Sequence, residues 1–152
     1  MHVINKYINS TAVCEIICKA LSKLTVNEEN KDFALSLGTL EPMVQVITTH
    51  MTSALICERS CGTLFNLTVD EEGSAQAMSI GVVDVIIGLL GHDMDAANVC
   101  KVALSTVGNL SENDTFLVVI GAVGPIEVVV KILTIHMNSA DVCEIACTFL
   151  WG

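Results

Sequence analysis

The sequence is poor in aromatic residues and in basic residues, and both shortages narrow what the chain can be. Aromatic residues make up only 4% of the 152 residues, so the apolar half of the composition is mainly Val, Ile, Leu and Ala. Lys and Arg number 7 against 17 Asp and Glu, which gives a formal net charge of −10. Because nucleic-acid phosphates repel an acidic chain, we expect no nucleic-acid partner.

The sequence also lacks a long apolar run. The longest nearly uninterrupted stretch extends from Phe116 to Ile126, well short of the roughly 20 residues that a membrane-spanning helix needs. The opening MHVINKYINS contains no cleavable apolar segment. We therefore expect a protein that does not span a membrane and that works in the cytoplasm or the nucleus. There its 7 cysteines would remain reduced.

What the chain has instead is an internal repeat. Four cysteines lie at a constant spacing of 43 residues: Cys14, Cys57, Cys100 and Cys143. Such a period is the signature of a stacked-repeat protein, in which each unit packs against its neighbours. The predicted units are a partial repeat at 1–11, complete units at about 12–54, 55–97 and 98–140, and a partial repeat at 141–152.

Each complete unit contains three predicted helices: one long, one short and one of medium length. In the second unit the long helix is predicted from Ser53 to Val69. Its expected buried face, with helical spacings, is Ala54, Leu55, Cys57, Cys61, Leu64 and Leu67. Asp70 is expected to cap the short helix, and Gly81 to end it with a positive φ. The medium helix follows from Val82 to Leu90.

The other units follow the same plan, so the predicted fold class is all-α. Their elements are the long helices Ala12–Val26 and Val99–Leu110, the short helices Glu28–Leu37 and 112–120, and the glycine stops Gly38 and Gly121. Pro42 and Pro125 fall in the opening turn of a medium helix, where a missing N–H costs no hydrogen bond. Neither end carries a polar capping repeat. We therefore expect a fragment of a longer array, with self-association through the uncapped ends as an open alternative.

The recurring residues resemble the armadillo repeat family. That family has a long helix ending in a Leu-x-Asn-Leu run, a short acidic-capped helix, and a Gly-Ala-Val/Ile-Pro start to the next helix. The corresponding runs here are LFNL at 64–67, VGNL at 107–110, GTLEP at 38–42 and GAVGP at 121–125. HEAT repeats are the nearest alternative, but they are two-helix units without the short third helix.

The resemblance implies an armadillo-type solenoid, a right-handed superhelix of about three and a half repeats of 43 residues. Its long helices would line a groove that holds an extended peptide. In relatives a groove asparagine clamps the peptide backbone. That position holds Asn66 and Asn109 here, but Lys23 in the first unit and Gly152 in the fourth. The implied function is a scaffold or adaptor that binds an extended segment of a partner protein.

Two other functions remain as alternatives. Nuclear-import adaptors of the family carry a tryptophan four residues before the groove asparagine. The corresponding residues here are Lys19, Gly62, Ser105 and Thr148, which weakens an import role. The second alternative is a structural spacer within a larger protein, without a ligand of its own.

Peptide-binding residues are expected on one face of the long helices, because a spacing of four keeps side chains in line. The predicted groove residues are Glu15, Lys19, Lys23, Glu58, Asn66, Lys101, Ser105 and Asn109. An ordinary solvated face is the alternative interpretation of the same residues.

The cysteine pairs do not favour a metal site. Equivalent neighbouring helices lie roughly 8–10 Å apart, whereas zinc holds its sulfurs at about 2.3 Å. In the third unit Leu104 replaces the second cysteine of the pair, which favours packing in the core. No catalytic Ser/His/Asp or Cys/His pairing has local support, and no glycine-rich phosphate loop follows a strand. We expect neither an enzyme nor a cofactor.

Overall fold

The computed structural model describes residues 2–92, 95–110 and 123–151. Within these ranges the regular secondary structure is α-helical, as predicted, and contains no strand. The helices are α1 (His2–Lys6), α2 (Thr11–Leu24), α3 (Glu28–Ser36), α4 (Leu40–Thr49), α5 (Ala54–Leu67), α6 (Glu71–Ser79), α7 (Val82–His92), α8 (Ala97–Leu110), α9 (Val123–Ile135) and α10 (Ala140–Trp151). The predicted short helix of the third unit and its stop Gly121 lie outside the described residues.

Equivalent helices pack against one another in chain order. The long helices α2, α5, α8 and α10 form one row, in which each contacts the next. The medium helices α4, α7 and α9 form a second row in the same way. The short helices α3 and α6 each contact the long helix of the following unit. The fold is therefore a helical repeat whose core lies between successive units.

The buried face of α5 differs in part from the predicted one. Its buried residues are Ile56, Cys57, Ser60, Cys61, Thr63, Leu64 and Leu67. The prediction that Ala54 and Leu55 are buried is wrong, because both are exposed. Leu55 is two residues before Cys57 and so lies about 200° around the helix from it. Ala54 is the first residue of the helix, with helical neighbours on one side only.

The predicted helix boundaries are confirmed where they depend on local turn chemistry. Gly38 and Gly81 end the short helices with φ values of 65° and 72°, a conformation that glycine adopts without a steric penalty. The Asp70 carboxylate accepts a hydrogen bond from the backbone N–H three residues later, at 2.9 Å. Pro42 and Pro125 are both in the opening turn of a medium helix. These residues set where each helix begins and ends.

An ion pair with a buried lysine joins the first two units. Lys31 of α3 is only 8% exposed, and its ammonium group donates a hydrogen bond to the Asp70 carboxylate that caps α6. The bond from Lys31, together with the bond from the Gly73 N–H, lowers the pKa of Asp70. The same bond to Asp70 raises the pKa of Lys31, against the opposing effect of burial. Both groups are therefore charged at neutral pH.

Acid is expected to weaken this junction. The pKa of Asp70 is lower in the folded chain than in the unfolded chain, where it is about 4. The ionised carboxylate therefore stabilises the fold fully above about pH 4, and this contribution is lost as the pH falls through the pKa of the folded state. The raised pKa of Lys31 works in the opposite sense, so its contribution is lost only at alkaline pH above about 10. Asp70→Asn keeps a capping oxygen but removes the charge. The variant should therefore lose less stability than the wild type between about pH 5 and pH 2.

The check is the midpoint of urea unfolding, followed by circular dichroism at each pH. Because the Asp70 side chain is 40% exposed, solvent screening keeps the expected difference at about 1 kcal/mol or less. Asp84→Asn, at an exposed carboxylate of α7, is the matched control and should follow the wild type. Parallel pH profiles for Asp70→Asn and the wild type would contradict the role of the ion pair.

Candidate functional site

The eight predicted groove residues occupy three repeated positions on the long helices. Lys19 and Lys23 of α2 are exposed. The half-buried members are Glu15 on α2, Glu58 and Asn66 on α5, and Lys101, Ser105 and Asn109 on α8. Because α2, α5 and α8 pack in sequence, these positions form rows that run across the stack. These rows place charged and polar side chains next to one another, but they do not bring all eight residues into one pocket.

A cleft between α8 and α10 brings three of them together. It has two adjoining sections of about 490 Å³ and 390 Å³. Lys101, Ser105 and Asn109 line it from α8, and Phe65 of α5 lies against both sections. Glu144 of α10 faces them from the opposite wall. The remaining five predicted residues lie on α2 and α5 and do not line this cleft.

The wall supplied by α10 is absent from the predicted set. Asp141, Glu144 and Ile145 line the cleft, and none of them is among the predicted groove residues. The repeat could have identified Glu144, because it lies 43 residues after Lys101. Phe65 carries no comparable signal, since its position beside the cleft depends on how closely α5 approaches α8. The cleft is thus an apolar-walled space with acidic groups on one side.

The groove asparagines make a contact that the resemblance does not describe. The side-chain nitrogen of Asn66 donates to the Ser22 carbonyl at 3.1 Å and to the Thr25 hydroxyl at 3.0 Å. The side-chain nitrogen of Asn109 likewise donates to the Phe65 carbonyl at 3.0 Å and to a threonine hydroxyl at 3.4 Å. An amide NH₂ group has two hydrogens, so both are used within the protein. Only the amide oxygen has acceptor capacity to offer a ligand.

A threonine just after the end of the preceding long helix completes this junction: Thr25 follows Leu24, and Thr68 follows Leu67. The Thr25 hydroxyl donates to the Leu21 carbonyl at 2.8 Å while it accepts from Asn66. The equivalent Thr68 hydroxyl donates to the Leu64 carbonyl at 2.9 Å and is 1% exposed. Each threonine therefore closes the end of its own helix and receives the asparagine of the next unit. The asparagine of one unit and the threonine of the preceding unit together connect neighbouring long helices.

Arg59 and Lys101 make different contacts with the neighbouring long helices. Near α2, the Arg59 guanidinium donates to the Glu15 carbonyl at 3.3 Å. Near α10, the Lys101 ammonium group is 3.4 Å from the Asp141 carboxylate, at an exposed site. Exposed ion pairs of this kind contribute about 0.2–1 kcal/mol. The contact with Asp141 therefore adds little to stability, and its effect is to position the Lys101 side chain at the cleft.

The repeated cysteines Cys14, Cys57 and Cys100 are buried in the core, whereas Cys143 is half-buried. The Sγ atoms of Cys57 and Cys143 lie 3.3 Å from the carbonyl oxygens of His50 and His136, each seven residues earlier. Cys14 makes the equivalent contact to Tyr7 at 3.6 Å. The prediction of core packing is confirmed for Cys14, Cys18, Cys57, Cys61 and Cys100, which are buried, and is wrong for Cys147, which is exposed. The thiols therefore donate to carbonyls of the turn before α2, α5 and α10.

Thiol labelling should separate these cysteines sharply. Burial raises the pKa of Cys14, Cys18 and Cys61, which removes the reactive thiolate. Cys147 is exposed, so we expect one fast reaction with Ellman's reagent in the native protein and the buried thiols to react only on unfolding. Cys147→Ser should remove the fast phase. Rapid labelling of all the cysteines would contradict the packing described above.

Two further observations concern the described part of the chain. It contains no group of three or more His, Cys, Asp or Glu side chains placed to hold a metal ion. Among its helices, none taken singly combines the length and the apolar character that crossing a bilayer requires. No protein-family model, no curated protein and no solved structure matches this chain.

Proposed function

We propose that this chain is an armadillo-type repeat array, coiled as a right-handed superhelix, that binds an extended segment of a partner protein along its long helices. The observation that carries the proposal is the cleft between α8 and α10. Three residues at the repeated groove positions, Lys101, Ser105 and Asn109, line it together. Interaction through such a surface needs no cofactor, and it suits a scaffold or adaptor.

The chemistry of the cleft supports a peptide as the ligand. Phe65, Val102 and Ile145 supply apolar contact area, while Ser105 and Glu144 supply polar groups at the edges. Pockets that combine an apolar lining with a few convergent polar groups are typical binding sites.

The test is selection from a random library of peptides about twelve residues long, an extended length of roughly 40 Å. Thr148 and Thr134 allow a matched pair of variants, because both are exposed and both hydroxyls donate to the carbonyl one turn earlier at 2.9 Å. Thr148 lines the cleft and Thr134 lies on α9. Thr148→Arg should weaken selected peptides about tenfold, which corresponds to about 1.4 kcal/mol. Thr134→Arg should leave their affinity unchanged.

The other outcomes distinguish the alternatives. A basic localisation peptide that binds more tightly than the selected peptides would favour the nuclear-import adaptor. If the library gives no peptide sensitive to Thr148→Arg, the groove proposal fails and the structural spacer is favoured. Circular dichroism of each variant should confirm that the helical content is unchanged, so that a lost affinity reports on the cleft.

A further inference from the structure

The groove face changes its charge from one end of the stack to the other. At the α2 end it carries Lys19 and Lys23, both exposed. Arg59 occupies the position on α5 that Val102 occupies on α8, 43 residues later. Glu15 and Glu58 are also at this end, but both are half-buried. Arg59 is half-buried as well, so the exposed charge available to a ligand over α2 and α5 comes from Lys19 and Lys23 and is positive.

The α10 end has the opposite character. Asp141 and Glu144 are both exposed, and the positive charge of Lys101 is partly neutralised by Asp141 at 3.4 Å. The repeat positions equivalent to Arg59 are occupied by Val102 and Ile145 at this end, and both line the cleft with apolar surface. This end can therefore receive an apolar side chain with a positive charge beside it.

The hydrogen-bonding groups at the α10 end also favour a donor-rich ligand. Both hydrogens of the Asn109 amide are directed to α5, which leaves its oxygen as the acceptor. The Thr148 hydroxyl donates to the Glu144 carbonyl at 2.9 Å, so its oxygen is left to accept. With the carboxylates of Asp141 and Glu144, the cleft offers mainly acceptors. Lysine and arginine side chains carry only donors.

We propose that the partner segment is charge-polarised, with acidic residues over α2 and α5 and an apolar residue beside a lysine or arginine over α8 and α10. This inference rests on the proposed function, since it specifies the ligand of the same groove. Three helix-to-helix steps of roughly 8–10 Å separate α2 from α10, and an extended chain rises about 3.3 Å per residue. The two charged ends of the segment are therefore about seven to nine residues apart.

The experiment compares fluorescently labelled peptides of equal length by anisotropy. One peptide has Asp and Glu at its N-terminal end and Leu-Arg-Lys at its C-terminal end, separated by about eight residues, and a second has the reverse order. A scrambled peptide of the same composition, a uniformly acidic peptide and a uniformly basic peptide complete the set. One of the two polarised peptides should bind about tenfold tighter than each of the other four, because the charge pairs at both ends can then form together.

Charge-reversal variants then locate each end of the peptide. Lys19→Glu/Lys23→Glu and Glu144→Lys should each weaken the preferred peptide about fivefold, and raising the salt concentration should reduce both effects. Combining the three changes should shift the preference to the peptide of reverse order. Glu41→Lys, at an exposed position of the medium helix α4, is the control and should leave the affinity unchanged.

The possible results distinguish a failure of the charge polarity from a failure of the proposed peptide-binding function. If uniformly charged or scrambled peptides bind as tightly as the polarised one, and Thr148→Arg still weakens that binding, the charge polarity is wrong and the groove is right. If both orders bind equally well, the polarity is also wrong. If library peptides fail to bind and none of the five designed peptides binds either, the proposed function itself fails.

Discussion

Gly73→Ala is expected to destabilise the protein strongly. A Cβ atom at this position would lie 1.7 Å from the carbonyl oxygen of Leu67 and 2.9 Å from its carbonyl carbon. Both are backbone atoms at the end of α5, so they cannot rotate away as a side chain could. The turn between α5 and α6 must shift, and the capping bond from the Gly73 N–H to Asp70 shifts with it. Overpacking typically costs about 1–3 kcal/mol, and a backbone clash places this variant at the upper end.

The measurement is the midpoint of urea unfolding, and the chain offers a control with the same chemical change. A Cβ at Gly88, in the interior of α7, would meet no atom within 4 Å apart from the backbone and chain neighbours of its own helix. Because glycine is unfavourable inside a helix, Gly88→Ala should stabilise the protein by about 0.4–1 kcal/mol. The two substitutions should therefore have opposite signs. A midpoint for Gly73→Ala at or above that of the wild type would show that the α5–α6 turn is looser than described.

Asn66→Asp is the second substitution for which we expect a large loss. The Asn66 amide donates to the Ser22 carbonyl and to the Thr25 hydroxyl, at 3.1 Å and 3.0 Å. A carboxylate is the same shape but has no hydrogen to donate, so it would set an anionic oxygen against the carbonyl oxygen of Ser22. Losing these bonds at a half-buried site costs about 1–3 kcal/mol. The free energy of unfolding should fall by that amount, as measured by urea denaturation at neutral pH.

The same exchange at Asn98 provides the control. Asn98 is exposed in the first turn of α8, where a negative charge interacts favourably with the helix dipole. Asn98→Asp should therefore be neutral or stabilising by a few tenths of a kcal/mol. If Asn66→Asp and Asn98→Asp behave alike, the amide does not connect α2 to α5 in solution. The asparagine would then be available to clamp a peptide with both its donors and its acceptor.

Features whose partners are close in sequence could be predicted from the sequence. The short-helix stops Gly38 and Gly81 were predictable because positive φ is a property of glycine itself. The cap at Asp70 was predictable because its partner is the N–H of a residue three positions away. The burial of Leu104 was predictable because the repeat places it where other units have a cysteine. Each of these needs only a few consecutive residues or a count of 43.

Features whose partners are distant could not be predicted in the same way. Leu55 fits an apolar pattern, but it is 41% exposed in the folded chain. The candidate cleft needs Phe65 and Glu144 on opposite sides of α8, and no spacing within one helix places them there. Of the eight predicted groove residues, only those on α8 share this cleft.

The amino-acid sequence determined by itself that the chain is a series of helices repeated every 43 residues, because helix period, caps and stops are local properties. The tertiary structure alone decided which groups line the cleft and which connect the repeats. The side-chain bonds of Asn66 join residues 44 and 41 positions apart, and their direction depends on how closely α2 and α5 approach. A helical pattern shows which residues share a face, but only the packing of neighbouring helices decides whether that face is open.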